Sequence, residues 1–307
     1  MKIQYKNPLA SIFSSFSRSE FFHHYENNEP LIGHNLNELL SPIFNLSFLN
    51  SLENLFEIWP TEVTAYLPGI SDEVNSKKVS SCEAKKLYAK GRGIYFDDPH
   101  QLSPLIFDWL EAFKRDLGLP SITYAQSLIY AIPKGKGTDP HFDPNINFVL
   151  QISGEKKWWI AKNEHLPNPL GRHTIGTPMS PELLSYANKE MPTSFPENSK
   201  EYLLRPGSML FLPRGAWHKT LALEDSLSLN FTYSPPTWLD ILTMAMRSEL
   251  AKDPHWRETA NYISDSERLP QALKKFEQLL LDLSLDKKKW QAKEIIERVE
   301  SFENDSL

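Results

Sequence analysis

The run His141-Phe142-Asp143 carries the clearest chemical signal in this sequence. On a β-strand, positions i and i+2 point to the same face, so His141 and Asp143 can converge on one point while Phe142 packs behind them. His218, at the start of a strand after the Pro213-Arg214-Gly215 turn, offers a third ligand. Two imidazoles and one carboxylate on one side of a metal leave three coordination positions open. That is the facial triad of non-haem Fe(II) oxygenases, whose open positions take a bidentate co-substrate and O₂. A His-x-Asp pair alone is a weak signal, so its surroundings decide.

Those surroundings begin at Ser153-Gly154-Glu155-Lys156, which reads as a hairpin with a two-residue loop and Gly at its first central position, the type II′ pattern. With Ser153 opposite Lys156, alternation puts Asn147, Val149, Gln151, Lys156, Trp158 and Ile160 on one face. Phe148, Leu150, Ile152, Lys157, Trp159 and Ala161 take the other. His141 and Asp143 join the first face if Pro144 leaves the phase intact. A lysine turned into a barrel needs a counter-charge, because an unpaired buried ammonium is costly. The distal carboxylate of 2-oxoglutarate would supply one. Taken alone, a lysine beside Lys157 at a turn reads as a solvated charge.

The elements that must position these groups differ in texture along the chain. Residues 1 to about 100 mix short helical patterns with Pro, Gly and Asn breaks; Ser19-Glu20-Phe21-Phe22 reads as a capped helix start and Pro30-Leu31-Ile32-Gly33 as a short strand with a turn. Residues 101–119 carry Leu105, Trp109, Leu110 and Phe113 at helical spacing. From about 121 to 236 the period shortens to β runs: SITYAQSLIYAI, NFVLQIS, KKWWIA, EYLL, SMLFLP, HKTLAL and SLSLNFTY. Many short strands between Gly and Pro turns predict a sandwich or barrel. A Pro-rich irregular insert, 162–200, interrupts them; such insertions are either binding elements or tolerated surface excursions. After Pro235-Pro236, WLDILTMAMRSELA, LPQALKKFEQLLLDL and KKWQAKEIIERVESF return to helical spacing.

Bulk properties narrow the function classes. A length of 307 residues suits one large domain or a catalytic domain with helical flanks. The net charge of -6 argues against nucleic acid as the primary ligand. The single cysteine, Cys82, excludes an intrachain disulfide framework and suits a reducing cytoplasm. No apolar run follows the N-terminal MKIQYKNPLASIFSSF, and none reaches the ~18 residues needed to span a bilayer, so a soluble cytoplasmic protein is expected.

Two blocks then carry a family resemblance. The run Thr138-Asp-Pro-His141-Phe-Asp143-Pro-Asn-Ile-Asn147-Phe148-Val-Leu-Gln151-Ile-Ser-Gly154-Glu-Lys156-Lys157-Trp158 resembles the JmjC-type hydroxylases of the cupin superfamily. Leu204-Arg-Pro-Gly207-Ser-Met-Leu-Phe-Leu-Pro213-Arg-Gly-Ala-Trp-His218, followed by Asn230-Phe231, fits as well. The resemblance is to the ribosomal-protein hydroxylases and to the asparaginyl hydroxylase of hypoxia-inducible factor, and covers roughly 121–236.

It implies a mainly β fold: a double-stranded β-helix (cupin/jelly-roll, JmjC-like) barrel with N-terminal α/β elements and a C-terminal helical region. Residues 1–100 would pack on the barrel, 101–236 form the catalytic barrel with the insert 162–200, and 237–307 form a helical region that pairs two copies or folds back on its own barrel. With this length, the additional winged-helix domain of the ribosomal branch is not expected. His141, Asp143 and His218 would bind Fe(II), and Lys156 the distal carboxylate of 2-oxoglutarate. Thr138 would help to bind that carboxylate, and Asn147 would lie near the metal-chelating end. Asn230 joins them only if the turn at Glu224-Asp225 has odd length.

Tyr124, Gln126 and Tyr130 share one face of the strand leading to the metal, where they could line the pocket or pack in the core. His23, His24, His34, His100 and His255 have no convergent partners in sequence, whereas His165 and His173 in the insert could reach substrate. Trp158, Trp159 and Trp217 read as barrel packing. The expected activity is Fe(II)- and 2-oxoglutarate-dependent hydroxylation of a protein or peptide side chain, with succinate and CO₂ as co-products. A hydroxylase of a free amino acid or small metabolite, a non-catalytic metal-binding cupin and a Zn(II) hydrolase are the alternatives.

Overall fold

The computed structural model describes residues 8–69, 71, 73–285 and 290–301. The chain divides into two compact units, Met1–Gly118 with Tyr124–Ser234, and Leu119–Thr123 with Pro235–Leu307. The larger unit begins α1 (Pro8–Ile12), α2 (Arg18–Glu26), β1 (Leu31–Gly33), α3 (Ser41–Phe44), α4 (Leu52–Ile58), β2 (Val63–Tyr66), β3 (Ser76–Val79), α5 (Ser81–Ala89), β4 (Ile94–Asp97) and α6 (Pro104–Asp116). It continues through β5 (Tyr124–Ile132), β6 (His141–Phe142), β7 (Ile146–Ser153), β8 (Lys156–Ala161), β9 (His173–Thr174), α7 (Pro181–Tyr186), β10 (Lys200–Leu204), β11 (Met209–Leu212), β12 (Trp217–Ala222) and β13 (Ser226–Ser234).

These strands form two antiparallel sheets, ordered β1-β11-β7-β13-β5-β4-β2-β3 and β10-β8-β12-β6-β9. All seven β runs anticipated from the sequence become strands, whereas β2, β3, β4, β6 and β9 are too short or too interrupted to announce themselves. Both faces of β7 are buried, and each has its own partners. Val149 packs with Trp158, Ile160 and Leu212 between the sheets. Phe148 points the other way and stacks on Phe113 of α6, with centroids 4.6 Å apart and rings 4° from parallel. Tyr233 fixes the same helix by donating to the Leu110 carbonyl at 2.7 Å. The apolar stripe of α6 (Ile106, Trp109, Leu110 and Phe113) therefore seals the outer face of the larger sheet, the burial that drives both elements to form.

Two local expectations change. The cap of α2 is Ser17, which forms a reciprocal capping box with Glu20, not Ser19. The Ser153–Lys156 segment is not a hairpin, because β7 pairs with β11 and β13 while β8 pairs with β10 and β12. It is a corner carrying the chain from one sheet to the other. Gly154 has φ 68, and an added Cβ would lie 2.2 Å from the Asp225 carbonyl oxygen, so a side chain is excluded both by conformation and by space. Asn147, Val149, Lys156 and Trp158 nevertheless face the same interior, because the two inner faces of a barrel look at each other.

The smaller unit holds α8 (Trp238–Leu250), α9 (Leu269–Leu285) and α10 (Ala292–Ser301). Thr237 and Asp240 make a capping box on α8. Ile241, Ala245 and Val299 form a small core with Ile122 and Ile295. Much of its remaining apolar surface is exposed, including Trp238, Leu273, Phe276 and Leu280. The start of the third anticipated helix and the first residues of the N-terminal stretch lie outside the described residues.

Candidate metal centre and co-substrate pocket

Strand register brings the three ligand candidates together. His218 of β12 stands directly opposite His141 of β6, the close cross-strand position from which two side chains on one face meet. Their ring centroids are 4.0 Å apart. Asp143 lies two residues beyond His141, and its Oδ2 is 3.6 Å from Nε2 of each histidine. One ligand atom from each of the three residues falls within 4.8 Å of the others, a spread that one ion can bridge.

The tautomers suit a metal. Nδ1 of His141 donates to the Asp139 carbonyl at 2.6 Å, and Nδ1 of His218 donates to the Ala216 carbonyl at 3.0 Å. A carbonyl can only accept, so each Nδ1 carries the proton and each Nε2 keeps a lone pair aimed at the common point. Burial, then the neighbouring His141, push His218 down to about 3, so its imidazole is neutral and ligand-competent. Burial by itself would raise Asp143, but Arg172 and the two imidazoles outweigh it and hold the carboxyl well below its usual range.

Lys156 lies in the same pocket. It is 3% exposed, and among the described residues no carboxylate pairs with it. Its Nζ sits 5.2 Å from the Trp158 ring centroid, and burial alone lowers it to about 8. Near it the Thr138 amide donates to Thr220 Oγ1 at 3.0 Å, and the two hydroxyls are 2.9 Å apart. This approach needs Gly137, where a Cβ would lie 1.8 Å from the Thr220 carbonyl oxygen. Asn147 accepts from the Thr232 hydroxyl at 2.6 Å, which occupies its oxygen and leaves its NH₂ to offer. Asn230 is buried, and its Oδ1 has no hydrogen-bond partner.

An open-faced set of two imidazoles and a carboxylate, an unpaired ammonium and an unsatisfied amide in one cavity match the needs of Fe(II) with 2-oxoglutarate. The residues fit the pair: three ligands, a cation for the distal carboxylate, and amide groups for the chelating end.

Thr138, Asn147, Lys156 and Asn230 thus line one pocket with His141, Asp143 and His218. The parity argument for Asn230 does not apply, because β12 and β13 lie in different sheets and the Leu223–Asp225 link is a corner. Gln126 and Tyr130 line the pocket; Tyr124 does not. Tyr124 is 60% exposed and donates to Gln126 at 3.2 Å, because it starts β5 beyond the rim of the barrel. His173 packs against Phe142 and Trp217 on the far side of β6, and His165 is not among the lining residues.

Sequence reasoning missed Thr220, Glu73 and Arg172. Thr220 was within reach, since it stands two residues after His218 on the same strand. Arg172 and Glu73 had no sequence signal, one flanking a two-residue strand in the irregular insert and the other in the loop between β2 and β3.

Comparison with known proteins agrees with this geometry. Residues 107–241 match the JmjC domain family. The uncharacterised protein YxbC of Bacillus subtilis is 34% identical over 258 residues, covering 82% of this chain and 78% of that protein. Ribosomal oxygenase 1 of Rattus norvegicus is 25% identical over 205 residues, 64% of this chain, and the chain spans only 32% of that relative's length. Among solved structures, Escherichia coli YcfD superposes with a TM-score of 0.56 at 16% identity, covering 91% of this chain and 69% of the other. YcfD, described as a ribosomal oxygenase in complex with cobalt and 2-oxoglutarate, superposes with a TM-score of 0.53 at 17% identity, covering 89% and 68%. At that identity the structures speak for the cupin fold, while the shared sequence and the matched domain speak for descent: this chain belongs to the JmjC-domain family.

Proposed function

We propose that this protein is an Fe(II)- and 2-oxoglutarate-dependent oxygenase that hydroxylates a protein or peptide side chain. The observation that carries the reading is a buried, unpartnered ammonium, Lys156, in the same cavity as the converging His141, Asp143 and His218. Neither a hydrolase nor an inert cupin needs such a cation. His141, Asp143 and His218 would hold the iron, which when bound supplies O₂ activation coupled to decarboxylation of 2-oxoglutarate to succinate and CO₂.

The chain's own residues do the rest. The carbonyls of Asp139 and Ala216 aim both imidazoles, and Lys156 draws the distal carboxylate to the closed end with help from the Thr138 and Thr220 hydroxyls. Asn147 offers its NH₂, and Asn230 its amide, toward the chelating end. Buried walls of Val149, Trp158 and Leu212 exclude water from that end, which strengthens each of these charge-assisted contacts. Gln126, Tyr130, Glu73 and Arg172 are left to face the substrate side.

A polypeptide substrate is favoured by the relatives named ribosomal oxygenases, which makes a ribosomal protein the first candidate. The test is to incubate iron-loaded protein with 2-oxoglutarate and ribosomal proteins, then follow succinate and a mass gain of one oxygen. Succinate with the gain confined to free amino acids would move the substrate to the metabolite class. No 2-oxoglutarate turnover would overturn the reading.

The helical unit is proposed to pair two copies of the chain. Trp238, Leu242, Leu273, Phe276, Leu280 and Ile296 expose more apolar surface than scattered surface residues normally do. Sedimentation at micromolar concentration should show a dimer that Phe276→Asp disrupts; a wild-type monomer rejects the pairing. The exposed free thiol of Cys82 suits action in the cytoplasm, and among the described residues no helix is long and apolar enough to cross a membrane.

A further inference from the structure

Asp143 has two oxygens, and the structure gives them different neighbours. Oδ2 faces the two histidine Nε2 atoms at 3.6 Å, while Oδ1 accepts a 2.6 Å hydrogen bond from Arg172 Nη1. The pairing follows from strand register. β6 and β9 run antiparallel with His141 opposite Thr174 and Phe142 opposite His173, so one further step sets Asp143 opposite Arg172. Opposite charges at facing positions attract, and here they meet beside the ligand set.

Arg172 is in turn held from the other side. Glu73 Oε2 lies 3.3 Å from the same Nη1, and Tyr130 donates to Glu73 Oε1. The loop carrying Glu73 is tied to the metal strand by a reciprocal clamp, Ser71 N–H to Asp139 Oδ2 at 2.6 Å and Asp139 N–H to the Ser71 carbonyl at 3.0 Å. A chain of contacts from three separate parts of the sequence, Tyr130 to Glu73 to Arg172, therefore ends on one carboxylate oxygen.

We propose that Arg172 is a positioning residue that restricts Asp143 to one-oxygen ligation, and that Glu73, braced by Tyr130, holds Arg172 in place. The proposal rests on the reading of His141, Asp143 and His218 as metal ligands. A carboxylate free to turn can chelate with both oxygens, and the second would occupy a position that a bidentate co-substrate and O₂ require. With Oδ1 engaged by a guanidinium, only Oδ2 faces the ion. Glu73 offsets the cost of a cation near a metal dication, because its charge compensates that of Arg172 at the same nitrogen. The insert 162–200 thereby contributes directly to the geometry of the metal site.

Cobalt(II) alone, titrated into metal-free protein and followed by its visible d–d absorption, tests this without turnover. Arg172→Met keeps the bulk and removes the donor. It should lower the d–d band intensity, as Asp143 turns its second oxygen to the ion and the coordination number rises, without weakening cobalt binding. Arg172→Lys, which can donate one hydrogen bond to Oδ1, should recover part of the wild-type intensity. Glu73→Gln should move the intensity in the Met direction by a smaller amount. Thermal melts of the metal-free proteins check folding, and if Arg172→Met fails to fold, the Arg172→Lys and Glu73→Gln spectra decide. Variants with the wild-type band shape and intensity, or an Arg172→Met protein that binds cobalt more weakly, overturn the role of Arg172 while leaving the metal reading intact. A wild type that takes up no cobalt overturns both.

Discussion

The closed end and the mouth of the pocket are built on opposite electrostatic principles. At the closed end the Lys156 ammonium lies by the Trp158 ring, and among the described residues no carboxylate pairs with it. At the mouth Arg172 lies between two carboxylates, Asp143 and Glu73, so each of these three charges has an opposite neighbour. An uncompensated buried charge costs stability until a ligand arrives, whereas a compensated one contributes order whether or not a ligand is present. The contrast teaches that this protein keeps electrostatic strain where 2-oxoglutarate would relieve it and rigidity where ligands must hold still.

The largest expected effect strikes the point between the two ends. His218→Ala should abolish stoichiometric cobalt(II) uptake and reduce succinate formation to background, exceeding the ~10–100-fold typical of an outer-shell loss. Metal binding retained at wild-type affinity would mean that the three residues do not share an ion.

Lys156→Met probes the closed end and should separate function from stability. Its KM for 2-oxoglutarate should rise roughly 10- to 150-fold, since a charge-assisted hydrogen bond is worth ~1.5–3 kcal/mol. The metal-free variant should also melt higher than wild type, because an unpaired buried ammonium has been replaced by an apolar chain of similar length. A lower melting point with an unchanged KM would make Lys156 an ordinary structural residue and erase the contrast.

A milder test uses pH. Burial lowers Lys156 to about 8 in the folded protein, below its ordinary value of 10.5. Below pH 8 the group is charged in both folded and unfolded chains, and the full burial cost is present. Between about 8 and 10.5 the unfolded chain holds the proton more tightly, so the metal-free wild type should gain stability relative to Lys156→Met as pH rises through that window. Affinity for 2-oxoglutarate should move the other way and weaken above pH 8, as the free protein loses the ammonium. In Lys156→Arg, whose cation does not titrate in this range, both trends should flatten; parallel trends in wild type and Lys156→Arg would assign the pH dependence elsewhere.

The smallest effect is expected at Tyr124, which stands outside the pocket. Tyr124→Ala should leave KM and kcat within about twofold of wild type, in the range of ordinary surface changes, whereas Gln126→Ala should disturb substrate turnover without altering the KM for 2-oxoglutarate. A large loss in Tyr124→Ala would extend the mouth of the site beyond the barrel rim.

What the sequence determined by itself was local and periodic. Alternation along 146–153 and 156–161 set which residues of each strand share a face: Asn147 with Val149 on one strand, and Lys156 with Trp158 on the other. The i and i+2 spacing put His141 and Asp143 together, and helical spacing marked 104–116 and 238–250. What only the tertiary structure decided was which faces meet. The Gly154 corner looks like a hairpin in sequence because both need a positive φ there, yet the chain changes sheets at that point. The same kind of corner carries Asn230 into the pocket, a placement that turn parity had left open. Arg172 reaches Asp143 through a two-residue strand, too short to carry an alternation, and Glu73 arrives from the segment between β2 and β3, 99 positions before Arg172. Periodicity reports the environment of one segment at a time; convergence of distant segments depends on pairing and packing energies summed over the whole barrel, which no single stretch of sequence contains.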